Sequence, residues 1–274
     1  MAPNPTQNIM QSTPHITIII PAYNEEKRIA ETLLRYGTYY NKQYRNRYDI
    51  LVVLNGCKDK TEDVVKQWCK KNSHIHYINF SDAIGKGGAI IEGLRVARGN
   101  LVGYTDADGS TRPEIMHRLF GALELTPSID CVVGSRWIEG AVVQQRTLKR
   151  QIMSRLFHVI VALYFHLGIK DTQCGAKVIR KQLIPKILPH LNISNMAFDV
   201  NFLVDIKRAG GHIFEMPIEW EDDTNSTISH PMKTGLVMFL SITRLRLLYS
   251  PLRFLYPLLR PISDVLYSIF TVKK

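Results

Sequence analysis

The residues with the clearest chemical potential lie in Leu101-Val102-Gly103-Tyr104-Thr105-Asp106-Ala107-Asp108-Gly109-Ser110, where an apolar run ends in two carboxylates one residue apart. Continued as a strand, this spacing aims Asp106 and Asp108 to one side, and two like charges there need a partner. Three chemistries fit: an Asp-Gly turn before a helix start, an acid and base pair, or a divalent cation shared with substrate phosphate oxygens.

The surrounding elements favour a ligand site. Apolar, β-branched runs predict strands over 15–20, 50–54, 74–78, 101–105 and 129–134, and helical patterns fall between them over 24–36, 59–71, 89–98 and 113–125. Short buried strands alternating with helices predict an α/β fold, a mainly parallel sheet with helices on both faces. Ligands of such sheets sit at the carboxyl ends of the strands, where Asp106 and Asp108 fall. The first strand runs into Pro21-Ala22-Tyr23-Asn24-Glu25-Glu26, in which Asn24 is expected to cap a helix. The second ends in Asn55-Gly56-Cys57-Lys58-Asp59, and the third leads to Gly85-Lys86-Gly87-Gly88, whose glycines allow close backbone approach and whose lysine suits phosphate. A nucleotide-diphosphate site accounts for all of these ends together.

Composition sets the class. The 274 residues are 45% hydrophobic and 22% charged, as in a globular core. Cys57, Cys69, Cys131 and Cys174 are far apart without a CxxC, which predicts neither zinc nor a disulfide framework and points to a reducing compartment. The net charge of +11 brings anionic partners into consideration: nucleic acid, a phospholipid surface or a phosphorylated substrate. No zinc finger, RNP motif or aromatic-laced basic patch is present, so no nucleic-acid partner is expected. Residues 1–14 carry no Lys or Arg and no apolar core, and read as a flexible arm rather than a signal peptide or anchor.

Taken in order, Ile-Ile-Ile-Pro-Ala-Tyr-Asn-Glu-Glu, Gly-Lys-Gly-Gly-Ala, Thr-Asp-Ala-Asp-Gly, Gly-Ser-Arg and Asp-Thr-Gln-Cys-Gly-Ala-Lys resemble the family 2 glycosyltransferases with the GT-A fold, within them the dolichyl- or polyprenyl-phosphate sugar synthases. The Asp-Thr-Gln-Cys-Gly run resembles the dolichyl-phosphate glucosyltransferases more narrowly. The resemblance covers roughly residues 16–220. It implies inverting transfer of a hexose, with UDP-glucose favoured, from a nucleotide sugar to a polyprenyl or dolichyl phosphate. GDP-mannose as donor, elongation of a saccharide or glycolipid, and a nonenzymatic nucleotide-sugar-binding scaffold are the alternatives.

By the same resemblance, Asp106 and Asp108 match a DxD motif that holds Mg²⁺ or Mn²⁺ on the donor diphosphate, and Pro21, Tyr23, Glu25 and Lys86 match positions around the nucleotide. Acidic residues common at the second strand end are replaced here by Leu54-Asn55-Gly56-Cys57, leaving the Asn55 amide to meet the base. Asn225-Ser226-Thr227 stands where relatives often carry Gly-Ser-Lys, with Lys233 a substitute for the missing lysine. Arg136 and Arg150 match acceptor-side basic positions and suit phosphate through the planar guanidinium fork, with Arg146 and Arg155 nearby. Asp171 is the base candidate if the reaction uses one, and Asp199 is expected near the sugar.

The last unit, 231–274, is expected to separate from a catalytic domain spanning 15–230. It is apolar but broken by Arg244, Arg246, Arg253 and Arg260 and by Pro251, Pro257 and Pro261, which disfavours a membrane span. Amphipathic helices on a membrane surface fit instead, placing the protein peripherally on a cytoplasmic face. A helical pair packed on the core, or a contact in a homo-oligomer, is the other reading. The apolar helix over 152–167 is expected to help cradle a lipid tail.

Overall fold

The computed structural model describes residues 14–144, 148–221 and 231–256. Nine strands and eight helices follow in the order β1 (Ile16–Ala22), α1 (Ile29–Tyr44), β2 (Tyr48–Asn55), α2 (Thr61–Lys71), β3 (Ile75–Phe80), α3 (Gly85–Val96), β4 (Leu101–Tyr104), α4 (Pro113–Leu125), β5 (Cys131–Ser135), β6 (Val142–Gln144), α5 (Leu148–Phe165), β7 (Lys177–Arg180), the single turn α6 (Ile184–Ile187), α7 (Phe198–Arg208), β8 (Ile213–Pro217), β9 (Glu219–Glu221) and α8 (Pro231–Leu248), all counted among the described residues.

The main sheet has the order β3-β2-β1-β4-β7-β5-β8, and β6 pairs with β9 in a small second sheet. Every residue of β2 is buried, as expected of a strand covered on both faces, and such a strand shows an unbroken apolar run instead of alternation. Helix α1 buries Ile29, Thr32, Leu33, Tyr36, Gly37, Tyr40 and Tyr44, a three-four spacing that places one face on the sheet.

The expected mainly parallel sheet is present, with one reversal. β7 is antiparallel to both β4 and β5 and lies between them. Nothing in the four residues Lys-Val-Ile-Arg announces this, because strand direction is set by where the chain returns. β6, β8 and β9 likewise lie outside the predicted strands.

Two helix starts differ from expectation. Helix α1 begins at Ile29, and Asn24 does not cap it: Asn24 has a φ of 54° and its Oδ1 accepts the backbone N–H of Lys58 at 2.7 Å. Helix α3 begins at Gly85, so Gly85-Lys86-Gly87-Gly88 forms its first turn rather than a loop ahead of it. A Cβ at Gly85 would lie 2.2 Å from the Ser194 carbonyl oxygen, and one at Gly87 would lie 2.4 Å from Phe198 Cβ. Glycine is what lets this turn press on the segment before α7.

Helix α8 docks one face on the sheet domain, burying Ser241, Ile242 and Leu245. Asn195 Nδ2 donates to Ser241 Oγ at 2.8 Å, and the Tyr249 hydroxyl donates to Asp205 Oδ1 at 2.5 Å. Met232 and Leu236 of the same helix are exposed. Residues 257–274 of the expected tail and 1–13 of the expected arm lie outside the described residues. Among the described residues, no helix is long and apolar enough to cross a membrane.

Candidate active site

The acidic segment leaves the sheet after Tyr104, so Asp106 and Asp108 stand on the turn beyond β4 and not on one strand face as expected. Helix α1 holds this turn by side chains that the sequence reading passed over. Thr32 Oγ1 donates to the Ala107 carbonyl at 2.8 Å, and the Tyr36 hydroxyl donates to the Thr111 carbonyl at 2.9 Å. Tyr36 and Tyr40 stack with ring centroids 5.9 Å apart, making a rigid buried support for the turn.

Asp108 Oδ1 accepts the Ser110 backbone N–H at 3.0 Å and the Ser110 hydroxyl at 2.6 Å. Asp106 Oδ1 lies 2.5 Å from Lys86 Nζ, which the glycine turn of α3 delivers. Burial, reinforced by the neighbouring Asp106 charge, raises the Asp108 carboxyl above its ordinary value. Burial opposes the Lys86 charge, yet Asp106, Asp199 and Asp108 outweigh it and hold the ammonium above its ordinary range. Two hard oxygen donors that repel one another suit a small divalent ion whose remaining positions go to phosphate and water. Among the described residues, no cluster of three or more His, Cys, Asp or Glu forms a closed metal cage.

On the nucleotide flank, Pro21 is partly buried at the end of β1 and Tyr23 is 45% exposed. Glu25 is buried and receives both Arg28 Nε and Nη2, at 2.7 and 2.8 Å. Its backbone N–H donates to Thr61 Oγ1 at 2.7 Å. Burial pushes the Glu25 carboxyl up to about 7 despite Arg28. Asn55 is also buried, and its side-chain carbonyl accepts the Ile84 N–H at 2.7 Å, bracing the approach to the Lys86 turn.

The opposite flank is organised by an ion pair. Arg136 Nε and Nη2 donate to the two Asp171 carboxylate oxygens at 2.7 and 2.9 Å, and the Arg136 backbone N–H adds a third bond at 3.0 Å. The guanidinium also lies 5.0 Å from the centre of the Trp220 ring. Burial works against the Asp171 charge, but Arg136 prevails and holds the carboxyl below its ordinary value. Glu215 in turn accepts the backbone N–H groups of Lys170 and Asp171, at 2.8 and 2.9 Å. Arg150 belongs to α5, with its side chain outside the described set, and Arg155 is exposed on the same helix. Arg146 and 225–227 lie outside the described residues, and Lys233 is partly buried on α8.

Asp199, in the first turn of α7, is 2% exposed and engaged from two sides. Its Oδ1 accepts Lys177 Nζ at 2.5 Å and the Tyr104 hydroxyl at 2.7 Å. Lys177 and Tyr104 were not among the expected site residues. Lys177 ends the Asp-Thr-Gln-Cys-Gly-Ala-Lys motif, but a lysine opening a short strand carries no sign of full burial. Gln173, in the same motif, has a buried Nε2 without a hydrogen-bond partner among the described residues.

Residues 17–188 match the model of glycosyl transferase family 2. The chain is 30% identical over 256 residues to a dolichyl-phosphate beta-glucosyltransferase of Dictyostelium discoideum, covering 90% of this chain and 76% of that protein. It is 31% identical over 230 residues to a dolichyl-phosphate beta-glucosyltransferase of Saccharomyces cerevisiae, covering 78% and 69%. Among solved structures, glucosyl-3-phosphoglycerate synthase from Mycobacterium tuberculosis, crystallised with Mn²⁺, uridine diphosphate and glucosyl-3-phosphoglycerate, superposes with a TM-score of 0.64 at 14% identity, over 84% of this chain and 78% of that one. By sequence match across most of its length and by the architecture of its sheet, the chain belongs to glycosyl transferase family 2 and is a glycosyltransferase with the GT-A fold.

Proposed function

We propose that the protein transfers glucose from UDP-glucose to dolichyl or polyprenyl phosphate, with inversion at the anomeric carbon and with Mg²⁺ or Mn²⁺ at Asp106 and Asp108. The observation that carries this reading is the juxtaposition of Asp106, Asp108 and Lys86 where parallel strands end, in a chain whose relatives are named for glucosyl transfer to dolichyl phosphate. A divalent ion bound there would neutralise charge on the departing diphosphate without a proton donor. Lys86 supplies a further positive charge to the same oxygens, exchanging its contact with Asp106 for phosphate. Pro21, Tyr23, Glu25 and Asn55 form the wall for base and ribose, with Asn55 presenting its NH₂ because its carbonyl is taken.

An acceptor phosphate is already anionic near neutral pH, so its oxygen can attack the anomeric carbon as the bond to the diphosphate breaks, without a general base. This fits Asp171 better as the residue that orients Arg136 than as a base, since its two oxygens are committed to that guanidinium. Arg136, preset in this way, and Arg150 are assigned to the acceptor phosphate. The buried Gln173 Nε2, which has no hydrogen-bond partner among the described residues, is assigned to a sugar hydroxyl.

Membrane contact is assigned to α5 and α8. Leu156, Val159 and Leu163 form an exposed stripe on α5, with Met232, Leu236 and Phe254 exposed on or just after α8. Cys57, Cys69, Cys131 and Cys174 are all free thiols, which suits a peripheral location on the reducing, cytoplasmic face. The test is transfer of label into the organic phase from UDP-glucose, GDP-mannose and UDP-N-acetylglucosamine, with dolichyl phosphate and either metal. Label from UDP-glucose alone, lost in EDTA and restored by Mn²⁺ or Mg²⁺, is expected. Preferred use of GDP-mannose overturns the donor assignment, and undiminished transfer in EDTA overturns the metal.

A further inference from the structure

Lys177 is fully buried, and no step of the proposed reaction uses it. A buried ammonium persists only when it is paired and hydrogen-bonded, and here two of its three donors have acceptors. One is Asp199 Oδ1 and the other is the Cys174 backbone carbonyl, each at 2.5 Å. The Tyr104 hydroxyl completes the arrangement by donating to the same Asp199 oxygen at 2.7 Å. Lys177 therefore fastens the Cys174 turn to the first turn of α7 and to the last residue of β4.

The residue after Cys174 touches the site. A Cβ on Gly175 would lie 2.2 Å from Asp106 Oδ2 and 2.8 Å from its Cγ, closer than any side chain could come. The Asp106 carboxylate thus lies between the bare backbone of Gly175 on one side and the Lys86 ammonium on the other. Its orientation depends on where the Cys174-Gly175 backbone stands, and Lys177 is bonded to that backbone through the Cys174 carbonyl.

We propose that Lys177 is a positioning residue for the metal-side carboxylate: by holding the Cys174 carbonyl it keeps Gly175 against Asp106 and so fixes the direction in which Asp106 presents its oxygens. Asp199 is then the counter-ion that allows a lysine to do this in the interior. The inference rests on the reading of Asp106 and Asp108 as metal ligands, and extends it to the buried Lys177 and Asp199.

The experiment is Mn²⁺ binding in the presence of UDP, read from the loss of the free-ion electron paramagnetic resonance signal, beside calorimetry of UDP without metal. Two variants approach Asp106 from independent directions. Lys177→Met combined with Asp199→Asn removes the fastening without stranding a buried charge, and Gly175→Ala pushes on Asp106 without altering any charge. Thermal unfolding of both reports retention of the fold. Each variant is expected to bind Mn²⁺ in the UDP complex about tenfold more weakly or worse, while metal-free UDP binding stays within about twofold of the unaltered protein. Unchanged Mn²⁺ binding in either variant overturns the positioning role, as does an equal loss of metal-free UDP binding. If the unaltered protein takes up no Mn²⁺ with UDP or with GDP, the metal reading itself fails, and the inference with it.

Discussion

Lys86 and Asp106 form an ion pair whose side chains keep 19% and 24% exposure, whereas Lys177 and Asp199, deeper in the same site, keep 0% and 3%. The Arg136 and Asp171 pair on the opposite flank is nearly as closed, at 10% and 1%. A pair with solvent access can trade one partner for an incoming ligand at small cost, because water screens the transition. A closed pair cannot, since either charge left alone would lack both water and a counter-charge, so Arg136 would meet a phosphate only with N–H donors that Asp171 leaves unused. The mouth of the site is therefore built for exchange and its walls for rigidity, though both use the same residue types.

The largest expected effect breaks a wall. Arg136→Ala leaves the Asp171 carboxylate buried without its counter-charge, and should lower unfolding free energy by about 3–5 kcal/mol in urea titrations. Arg136→Met with Asp171→Asn should recover much of that loss. A single variant that loses less than about 1 kcal/mol would place this pair with ordinary surface ion pairs and erase the contrast.

At the mouth the balance should reverse. Asp108→Asn removes charge from a partly buried turn without stranding a buried counter-charge, so its unfolding midpoint should stay close to that of the unaltered protein while transfer falls about 10²–10³-fold. A comparable drop in stability with little change in transfer would make the turn structural.

The smallest effect concerns pH on the nucleotide flank. Burial raises the Glu25 carboxyl from 4.5 to about 7, so between those values the folded state holds a proton that the unfolded chain has released. Stability should therefore decrease as pH rises from about 4.5 to about 7 and level off above, by on the order of 2 kcal/mol. Glu25→Gln should remove this slope, so its advantage over the unaltered protein should grow between pH 5 and pH 8 in thermal unfolding. Parallel pH profiles for the two proteins would show that Arg28 keeps the carboxylate charged throughout.

Much of this architecture was legible from local pattern. The strand leading to Asp106, the helix Pro113–Leu125 with its proline in the first turn, and Lys86 among glycines all follow from short-range signals: apolar runs, helix-start chemistry and positive-φ or close-approach residues. The order of motifs was enough to resemble the family, because it too is written along one dimension. Partner choice is not. Asp171 is 35 residues from Arg136 and Asp199 is 22 from Lys177, and each carboxylate reads equally well as a base, a cap or a counter-ion until the fold brings its cation to it. Asn24 was a capping residue by type, yet the left-handed turn after β1 turned its side chain toward Lys58 instead. The reversal of β7, which sets Gly175 against Asp106 and buries Lys177, depends on sheet edges supplied by β4 and β5 from elsewhere in the chain. Local periodicity thus determined which segments become strands and helices and which residues could do chemistry, while long-range packing alone decided which of their charges face a ligand and which face each other.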